Sequence, residues 1–380
     1  MKKVLIVYAT GGMGHVKAAQ AVEQAWREKY PAVEVKNVNI IDFANPLYKK
    51  VFVDGYNYIS SKKPEIWGFL YRQFNNKENQ KLPSYLSRLA ISRRFIPFIR
   101  KFQPDFIIAT HPLPMILVSY SKAKDVIDIT SSMVVTDFGC HSFWVDPEVN
   151  YYFCATQDVA RCLGGYGVKL GQMAVTGIPI EPKFAQNFDK KILQQKFGLN
   201  PNLFTLLIVG GQFNFSVLKT IISGVKKKNG DKIQFLVVAG RDVDLKESLD
   251  NSDFSKNHQV KIFGFIDNMH ELMAVSDLIF SKAGGLTVSE CLALGLPMII
   301  NKVIPGQEED NVNFLVRKGA GIKVNNFSEI VKSVNQLIIN PTKIQKMKKA
   351  AKSLGRPKSA EALADFVYKR ISKPRTKLVN

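Results

Sequence analysis

The sequence predicts an α/β protein made of two doubly wound parallel sheets that face each other across a cleft. Short apolar runs of Val, Ile and Leu alternate with amphipathic stretches, as they do when strands are buried on both faces between helices. A strand followed by two glycines occurs twice, at Gly11-Gly12 and at Gly210-Gly211. The length of 380 residues also suits two domains of ordinary size.

The predicted strands, in chain order, are 3–8, 105–109, 132–136, 151–154, 204–209, 233–239, 277–280 and 297–300. Amphipathic helices are predicted at 15–29 and 215–228. The Pro- and Gly-rich segment 177–186 is the expected hinge, so we place one domain at 1–183 and the next at 184–354. Ligands of such sheets bind beyond the carboxyl ends of the strands, which predicts a site in the cleft.

The net charge of +21 is concentrated in two segments. Residues 48–101 hold 12 Lys and Arg against 3 acids, and residues 341–380 hold 12 against 2. The composition excludes a disordered, collagen-like or coiled-coil chain. Nucleic acid, an anionic membrane and a phosphorylated substrate are the candidate partners of this charge.

The four cysteines show no CxxC spacing, so we expect free thiols in a reducing cytosol. No apolar stretch reaches about 18 residues, so we expect no helix that spans a bilayer. No cluster of His, Cys and Asp has the spacing of a metal site. The string Asp242-Val243-Asp244 follows a strand, and we expect it to cap the next helix and not to bind a metal.

A glycine-rich turn in the second half predicts an anion site. The segment Ser281-Lys282-Ala283-Gly284-Gly285 follows a strand and opens a helix. Such a turn presents unpaired N–H groups and the positive end of the helix dipole to a phosphate. Glu290, expected in the first helical turn, can accept hydrogen bonds from ribose hydroxyls. The alternative is an ordinary helix start with a Glu favoured by the dipole.

The first half has its own glycine-rich turn, at 9–14, followed by His15. The spacing is not G-x-G-x-x-G and no acidic residue ends a second strand about 20 residues on, which disfavours NAD. His15 lies at a helix start on the carboxyl edge of the sheet, where a near-neutral imidazole suits a general base for an alcohol. The alternative is a His that caps or packs.

Four strings in the second half resemble the C-terminal domain of UDP-sugar glycosyltransferases of the two-Rossmann (GT-B) kind, over roughly 200–360. They are GF-x-x-NM, K-A-G-G-x-T-x-x-E, G-L-P-x-I-I and P-G-Q-E-E-x-N, between residues 264 and 311. The resemblance implies that Phe265 and Ile266 meet uracil, that Gly284, Gly285, Leu286 and Thr287 hold the pyrophosphate, that Glu290 holds the ribose and that Gln307, Glu308 and Glu309 meet the hexose. The remaining members of the implied UDP-sugar set are Gly210, Gly211, Gln212, Arg241, Met269, Lys282, Ala283 and Gly306.

One departure from that pattern is the loop Gly210-Gly211-Gln212-Phe213-Asn214, where lipid-directed relatives usually carry three glycines. Its first two glycines can still approach a phosphate. Gln212 and Phe213 narrow the loop.

The string T-G-G-x-G-H-x-x-A-A, with Thr110-His111-Pro112 and Thr136-Asp137-Phe138, resembles the diacylglycerol glycosyltransferases of glycosyltransferase family 28. That family includes the monogalactosyldiacylglycerol synthases and the processive diacylglycerol glucosyltransferases. The resemblance implies His15 as the base, with Asp137 orienting or assisting it, and a last helix, about 355–380, that crosses back to complete the first domain. For His111 and His141, a structural role is the alternative to a role in the site. The implied acceptor and membrane residues are Gly12, Gly14, Trp67, Tyr71, His141 and Trp144.

Residues 48–101 interleave aromatic residues with the basic ones. Basic side chains near anionic lipid and aromatic rings at the headgroup level favour an interfacial amphipathic element. One alternative is a solvated helical pair whose aromatics pack in the domain. Another is stacking of single-stranded nucleic acid, although the chain has no RNA-recognition, zinc-finger or helix-turn-helix signature.

Together these patterns predict a peripheral enzyme at the cytoplasmic face of the membrane. It would move a hexose from UDP-glucose or UDP-galactose to the sn-3 hydroxyl of 1,2-diacylglycerol, without a metal or cofactor and with inversion to a β-glycoside. Its partners would be the UDP-hexose, diacylglycerol and an anionic phospholipid surface, and no nucleic acid. The alternatives are transfer to a polyprenyl-linked precursor and a binding protein without catalysis.

Overall fold

The protein is described by a computed structural model that covers 1–10, 12–209, 213–225, 233–254, 258–301, 306 and 308–372. The predicted donor residues Gly210, Gly211, Gln212 and Gln307 lie outside the described residues, and so does the side chain of Trp67. In the described part no helix is long and apolar enough to cross a membrane.

Residues 3–175 form a sheet of six parallel strands in the spatial order β2-β1-β3-β4-β5-β6. The strands are β1 (Lys3–Tyr8), β2 (Glu34–Asn39), β3 (Phe106–Ala109), β4 (Thr130–Val134), β5 (Tyr151–Cys154) and β6 (Met173–Val175). Their helices are α1 (Met13–Lys29), α2 (Pro46–Lys62), α3 (Pro64–Gln73), α4 (Lys77–Phe102), α5 (Pro112–Ala123) and α6 (Gln157–Gly165). The basic aromatic segment is therefore the helical insertion α2–α4 between β2 and β3.

Residues 205–323 form the second sheet, also of six parallel strands, in the order β12-β11-β10-β7-β8-β9. The strands are β7 (Thr205–Val209), β8 (Gln234–Val238), β9 (Gln259–Phe263), β10 (Leu278–Ser281), β11 (Met298–Ile300) and β12 (Gly321–Lys323). The helices are α7 (Lys190–Lys196), α8 (Phe215–Gly224), α9 (Val243–Asp250), α10 (Met269–Val275), α11 (Gly285–Leu294), α12 (Glu309–Arg317), α13 (Phe327–Ile338), α14 (Pro341–Leu354) and α15 (Ser359–Ile371).

All eight predicted strands are present, although β4 begins and ends two residues earlier than 132–136. The four strands that the sequence analysis missed are β2, β6, β9 and β12, and these are the four edges of the two sheets. Their residues are mostly half-buried, whereas the central strands are almost wholly buried. An edge strand needs no continuous apolar run, so its sequence lacks the pattern used for the prediction.

The last helix, α15, packs against α1 of the first domain. The rings of Tyr30 and Tyr368 stack at 3.9 Å, and the Tyr30 hydroxyl donates to Asp365 over 2.7 Å. The predicted hinge segment, 177–186, also contacts the start of α15. The Ile180 N–H donates to the Ser359 hydroxyl over 3.3 Å.

The prediction of free thiols is wrong for two of the four cysteines. Cys140, in the loop after β4, and Cys162, on α6, form a disulfide, while Cys154 and Cys291 are free and buried. The fold brings the two Cα atoms to 6.2 Å, within reach of a disulfide, from positions 22 residues apart. No spacing motif in the sequence indicates that approach.

Candidate active site

The carboxyl ends of the two sheets meet in the cleft. The loop after β4 lies against the turn that opens α11, so closely that a Cβ on Gly285 would collide with the Thr136 carbonyl. A Cβ on Gly139 of the same loop would collide with Asp310 of α12. Gly14, in the first turn of α1, also faces the second domain. A Cβ on Gly14 would lie 3.8 Å from the side chain of Leu286. The predicted catalytic and donor loops are therefore in direct contact.

His15 lies in the first turn of α1, which follows Gly12 in a positive-φ conformation (φ 128°). The side chain is 8% exposed, and its Nδ1 lies 2.6 Å from the Thr110 carbonyl oxygen. Because a carbonyl can only accept, Nδ1 carries the hydrogen and Nε2 keeps the lone pair. Burial lowers the pKa of His15 to about 4, so the ring is neutral at pH 7.

His111 is the neighbouring imidazole, with ring centroids 4.6 Å apart. Its Nδ1 accepts the Leu113 N–H over 3.0 Å and so caps α5. In the neutral ring the hydrogen is then on Nε2, the opposite tautomer to that of His15. Burial, and next the proximity of His15, lower the pKa of His111. Of the two rings, His15 is the one whose Nε2 lone pair can accept a proton. Its pKa of about 4 is lower than the near-neutral value that the sequence predicted, because the ring is buried.

Asp137 lies three residues beyond the end of β4 and is 8% exposed. Burial raises the pKa of its carboxyl to about 7, and Asp310 and Glu308 of the second domain add to that rise. The Asn311 side chain opposes it by donating to the Asp137 carboxyl over 3.5 Å. Close to neutral pH, Asp137 is thus poised between its two protonation states.

The turn Gly284-Gly285 opens α11 with Gly284 as the N-cap and no side-chain cap, so the first backbone N–H groups are free to meet an anion. Ala283 and Leu286 are buried, Thr287 is half-buried, and Lys282 is exposed beside them.

Glu290 lies in the second turn of α11 and not in the first, which corrects the sequence prediction. The helix begins at Gly285, so Glu290 is its sixth residue. Burial, and next the Glu181 carboxylate, raise the pKa of Glu290 to about 8, against the opposing effect of Lys17 and Lys183. A protonated carboxyl can still accept hydrogen bonds from ribose hydroxyls.

The predicted uracil residue Phe265 is 62% exposed, which is unusual for a phenyl ring. The Arg241 guanidinium lies 5.1 Å from the centre of that ring, while Ile266 and Met269 are half-buried beneath the same surface. An exposed ring with a cation beside it offers a stacking surface for a base. As predicted, Asp242 caps α9, because it accepts the Leu245 N–H over 2.9 Å.

Of the predicted acceptor residues, Trp144 and His141 are buried within the first domain, whereas Tyr71 lies in the cleft. Trp144 is 4% exposed and lies in the core, so it does not contact lipid at the protein surface. Its ring lies 6.2 Å from that of His15, and its role in the acceptor site stays a prediction. His141 uses both ring nitrogens structurally: Nδ1 accepts the Phe143 N–H, and Nε2 donates to the Tyr71 carbonyl over 2.7 Å. Tyr71 itself lies in the cleft, where a Cβ on Gly306 would be 2.6 Å from its ring.

Of the residues predicted to meet the hexose, Glu308 is buried and Glu309, the first residue of α12, is exposed. The sequence analysis missed Asn311, although it stands in the string P-G-Q-E-E-x-N, and it missed its contacts across the cleft. In the described part, no three His, Cys, Asp or Glu side chains gather as metal ligands would.

The two parallel sheets that face each other across a cleft form a GT-B fold. Solved structures share the fold: MurG of Acinetobacter baumannii, at 14% identity over 97% of this chain and 100% of the other, has a TM-score of 0.61. The calicheamicin glycosyltransferase CalG4, at 13% identity over 98% and 100%, also has a TM-score of 0.61.

The family follows from the sequence comparisons. Residues 15–180 match Monogalactosyldiacylglycerol (MGDG) synthase, and residues 205–363 match the Glycosyltransferase family 28 C-terminal domain. The processive diacylglycerol β-glucosyltransferase of Bacillus subtilis (strain 168) is 31% identical over 97% of this chain and 95% of its own. The protein of that name from Bacillus thuringiensis (strain Al Hakam) is 32% identical over 96% and 93%. The chain belongs to the diacylglycerol glycosyltransferase family.

Proposed function

We propose that this protein transfers a hexose from a UDP-hexose to the sn-3 hydroxyl of 1,2-diacylglycerol, with inversion to a β-glycoside. The observation that supports the proposal is the state of His15, a neutral imidazole with its lone pair on Nε2, next to Gly14, which contacts Leu286 of the predicted donor turn. The names of the relatives favour glucose over galactose as the hexose.

The proposed step forms one bond and breaks another. His15 Nε2 takes the hydroxyl proton while the hydroxyl oxygen attacks the anomeric carbon from the face opposite UDP. The bond from that carbon to the UDP oxygen breaks, and UDP leaves with the electron pair. The N–H groups at Gly284 and Gly285 and the dipole of α11 stabilise the charge that develops on the pyrophosphate, and the proposal needs no metal there.

The test is incubation of the protein with UDP-glucose or UDP-galactose and vesicles that contain diacylglycerol, followed by mass and linkage analysis of the lipid. We expect a β-glucosyl diacylglycerol and release of UDP that depends on diacylglycerol. Release of UDP without a glycolipid product, or an α-linked product, would overturn the proposal. A polyprenyl phosphate in a parallel incubation distinguishes the other acceptor class.

We propose further that α2–α4 dock on an anionic bilayer. The exposed large apolar side chains of these helices recur at helical spacing and are Leu47, Val51, Ile66, Phe69, Leu82, Tyr85, Leu86 and Leu89. Basic residues such as Lys50, Arg93 and Arg94 are exposed on the same helices. Apolar positions i, i+3, i+4 and i+7 facing water, with cations nearby, suit a lipid headgroup region.

Most of the aromatic residues behind the sequence prediction do not form this surface. Phe95 is fully buried, and Tyr48, Phe52 and Phe98 pack partly buried against the core. Among the described side chains of α2–α4, Phe69 and Tyr85 are the aromatics that are largely exposed. Leucines are four of these eight exposed apolar side chains, and aliphatic residues are six of the eight, so the proposed docking depends mainly on aliphatic side chains.

We expect the double substitution Leu86→Glu and Leu89→Glu to weaken binding to anionic vesicles by at least about tenfold. Each leucine would otherwise gain about 1.5–3 kcal/mol on burial in lipid, and a glutamate adds repulsion from the anionic surface. Vesicle co-sedimentation measures the effect. Leu170→Glu, at a leucine that is 82% exposed outside α2–α4, is the control and should bind like the wild type. Equal binding by all three proteins would contradict the docking surface.

A further inference from the structure

Asn311 connects three parts of the cleft through one side chain. It lies in the first turn of α12, two residues after Glu309, which is predicted to meet the hexose, and it is fully buried. Its Oδ1 accepts the Phe138 N–H over 2.7 Å. Its Nδ2 donates to the Ala283 carbonyl over 3.0 Å and faces the Asp137 carboxyl at 3.5 Å. The amide thus joins the predicted donor turn to the loop that carries Asp137.

The packing around the amide fixes this geometry. The ring of Phe138 stacks on that of Phe314 of α12 at 4.6 Å. Gly139 has no side chain where Asp310 approaches, so the loop after β4 lies flat on α12. The buried Asn311 amide pairs with the Phe138 N–H and the Ala283 carbonyl, backbone groups that would otherwise be buried and unpaired.

We propose that Asn311 is a positioning residue that transmits occupancy of the donor site to Asp137 and holds its carboxyl in place for transfer. This inference rests on the proposed function, because it assumes that Asp137 assists the reaction. Asn311 contacts the predicted donor turn at Ala283 and stands two residues after Glu309, which is predicted to meet the hexose, so a bound UDP-hexose would lie next to both ends of this connection. The side chain then presents one hydrogen-bond donor to Asp137.

The charges that face Asp137 show why an amide is needed at this position. Asp310 and Glu308 approach from the second domain, and the Tyr71 phenol approaches from α3. Burial disfavours the ionised carboxylate and raises the pKa of Asp137, and Asp310 and Glu308 act in the same direction. Asn311 provides the hydrogen bond that favours ionisation, so its loss should raise the pKa of Asp137 further.

The test compares Asn311→Ala with Asn313→Ala, an exposed asparagine two residues along the same helix. We expect Asn311→Ala to lower kcat by about 30-fold or more, as a small misplacement of a reacting group does. The affinity for UDP should stay within about threefold, since the UDP contacts predicted at 265–290 are not altered. The half-point of the pH–rate profile near 7 should move to higher pH. Asn313→Ala should match the wild type.

Hydrogen exchange gives a readout that does not depend on turnover. We expect UDP-glucose to slow exchange of the Phe138 amide in the wild type and in Asn313→Ala, but not in Asn311→Ala. Slowing of the same size in all three proteins would overturn the inference, as would an unchanged pH half-point with wild-type kcat. Absence of glycolipid product from the wild type would overturn only the proposed function. If Asn311→Ala does not fold, Asn311→Ser, which keeps a short polar group, takes its place with the same expectations.

Discussion

Replacing His15 by alanine should lower the rate of hexose transfer by about 10²–10⁴-fold, the usual contribution of a general base. The reason is the tautomer: the Thr110 carbonyl fixes the hydrogen on Nδ1 and leaves the lone pair on Nε2. The affinity for UDP should change little, because the donor turn belongs to the second domain. Single-turnover transfer to diacylglycerol and calorimetric UDP binding, measured on the same preparations, separate the two effects.

His111→Asn is the matched control for that result. Asparagine can still cap α5, so the helix keeps its start, while the second imidazole of the pair is removed. We expect a loss of less than about tenfold, because His111 has its hydrogen on Nε2 and is no base. If His111→Asn loses as much activity as His15→Ala, the assignment of the base is wrong.

The pH dependence of the wild type provides a second check on His15. Since burial holds its pKa at about 4, the ring remains neutral from pH 8 down to about pH 5. Loss of activity on acidification toward pH 6 must then come from another group, and Asp137, with a pKa of about 7, is the candidate. In Asp137→Asn the half-point near 7 should therefore disappear from the profile.

The central strands could be predicted from the sequence because burial on both faces leaves one signature, a continuous apolar run. The edge strands could not, since β2 or β12 meets water and its residues are mixed. The insertion α2–α4 was recognised by its charge, but which of its rings are buried depends on packing against Phe43 and the core. A residue such as Phe95 looks the same in the sequence whether it faces lipid or β-strands.

The candidate site also divides into features that could be predicted from the sequence and features that could not. Motifs that lie within one loop, such as the turn at Gly284-Gly285 and the glycines before His15, could be read locally. Contacts between distant segments could not: the acceptor for His15 is 95 residues away, and Asn311 meets Phe138 over a separation of 173. The disulfide and the burial of Trp144 belong to this second group. Each is decided by where separate loops meet at the sheet edge.

At Gly285 the backbones of the two domains meet closely, and we expect Gly285→Ala to nearly abolish transfer. A Cβ there would collide with the Thr136 carbonyl and lie 3.2 Å from Ile178. The obstacle is backbone, so it cannot be relieved by a change of rotamer, and the domains must separate. A shift of about 1 Å between the donor and the base can cost about 100-fold in rate.

The fold of the second domain should tolerate that substitution. Gly285 is the first residue of α11 and has no positive φ, and alanine favours a helix over glycine by about 1 kcal/mol. Alanine keeps the backbone N–H that is predicted to meet the pyrophosphate, so UDP binding should fall much less than transfer does. Small-angle scattering should show a larger radius of gyration. This combination would locate the defect in the contact between the domains and not in the donor domain.

The variant Gly284→Ala distinguishes an effect on the closure of the two domains from an effect on binding of the UDP-hexose. Its Cβ would meet nothing nearer than the Thr287 hydroxyl at 4.0 Å, so the two domains can approach as in the wild type. We expect an unchanged radius of gyration, and any loss should appear in the KM for the UDP-hexose because this residue lies at the predicted pyrophosphate site. If Gly285→Ala transfers hexose at the wild-type rate, the close approach of Gly285 to Thr136 is not required for catalysis, and neither is the closed arrangement that it defines.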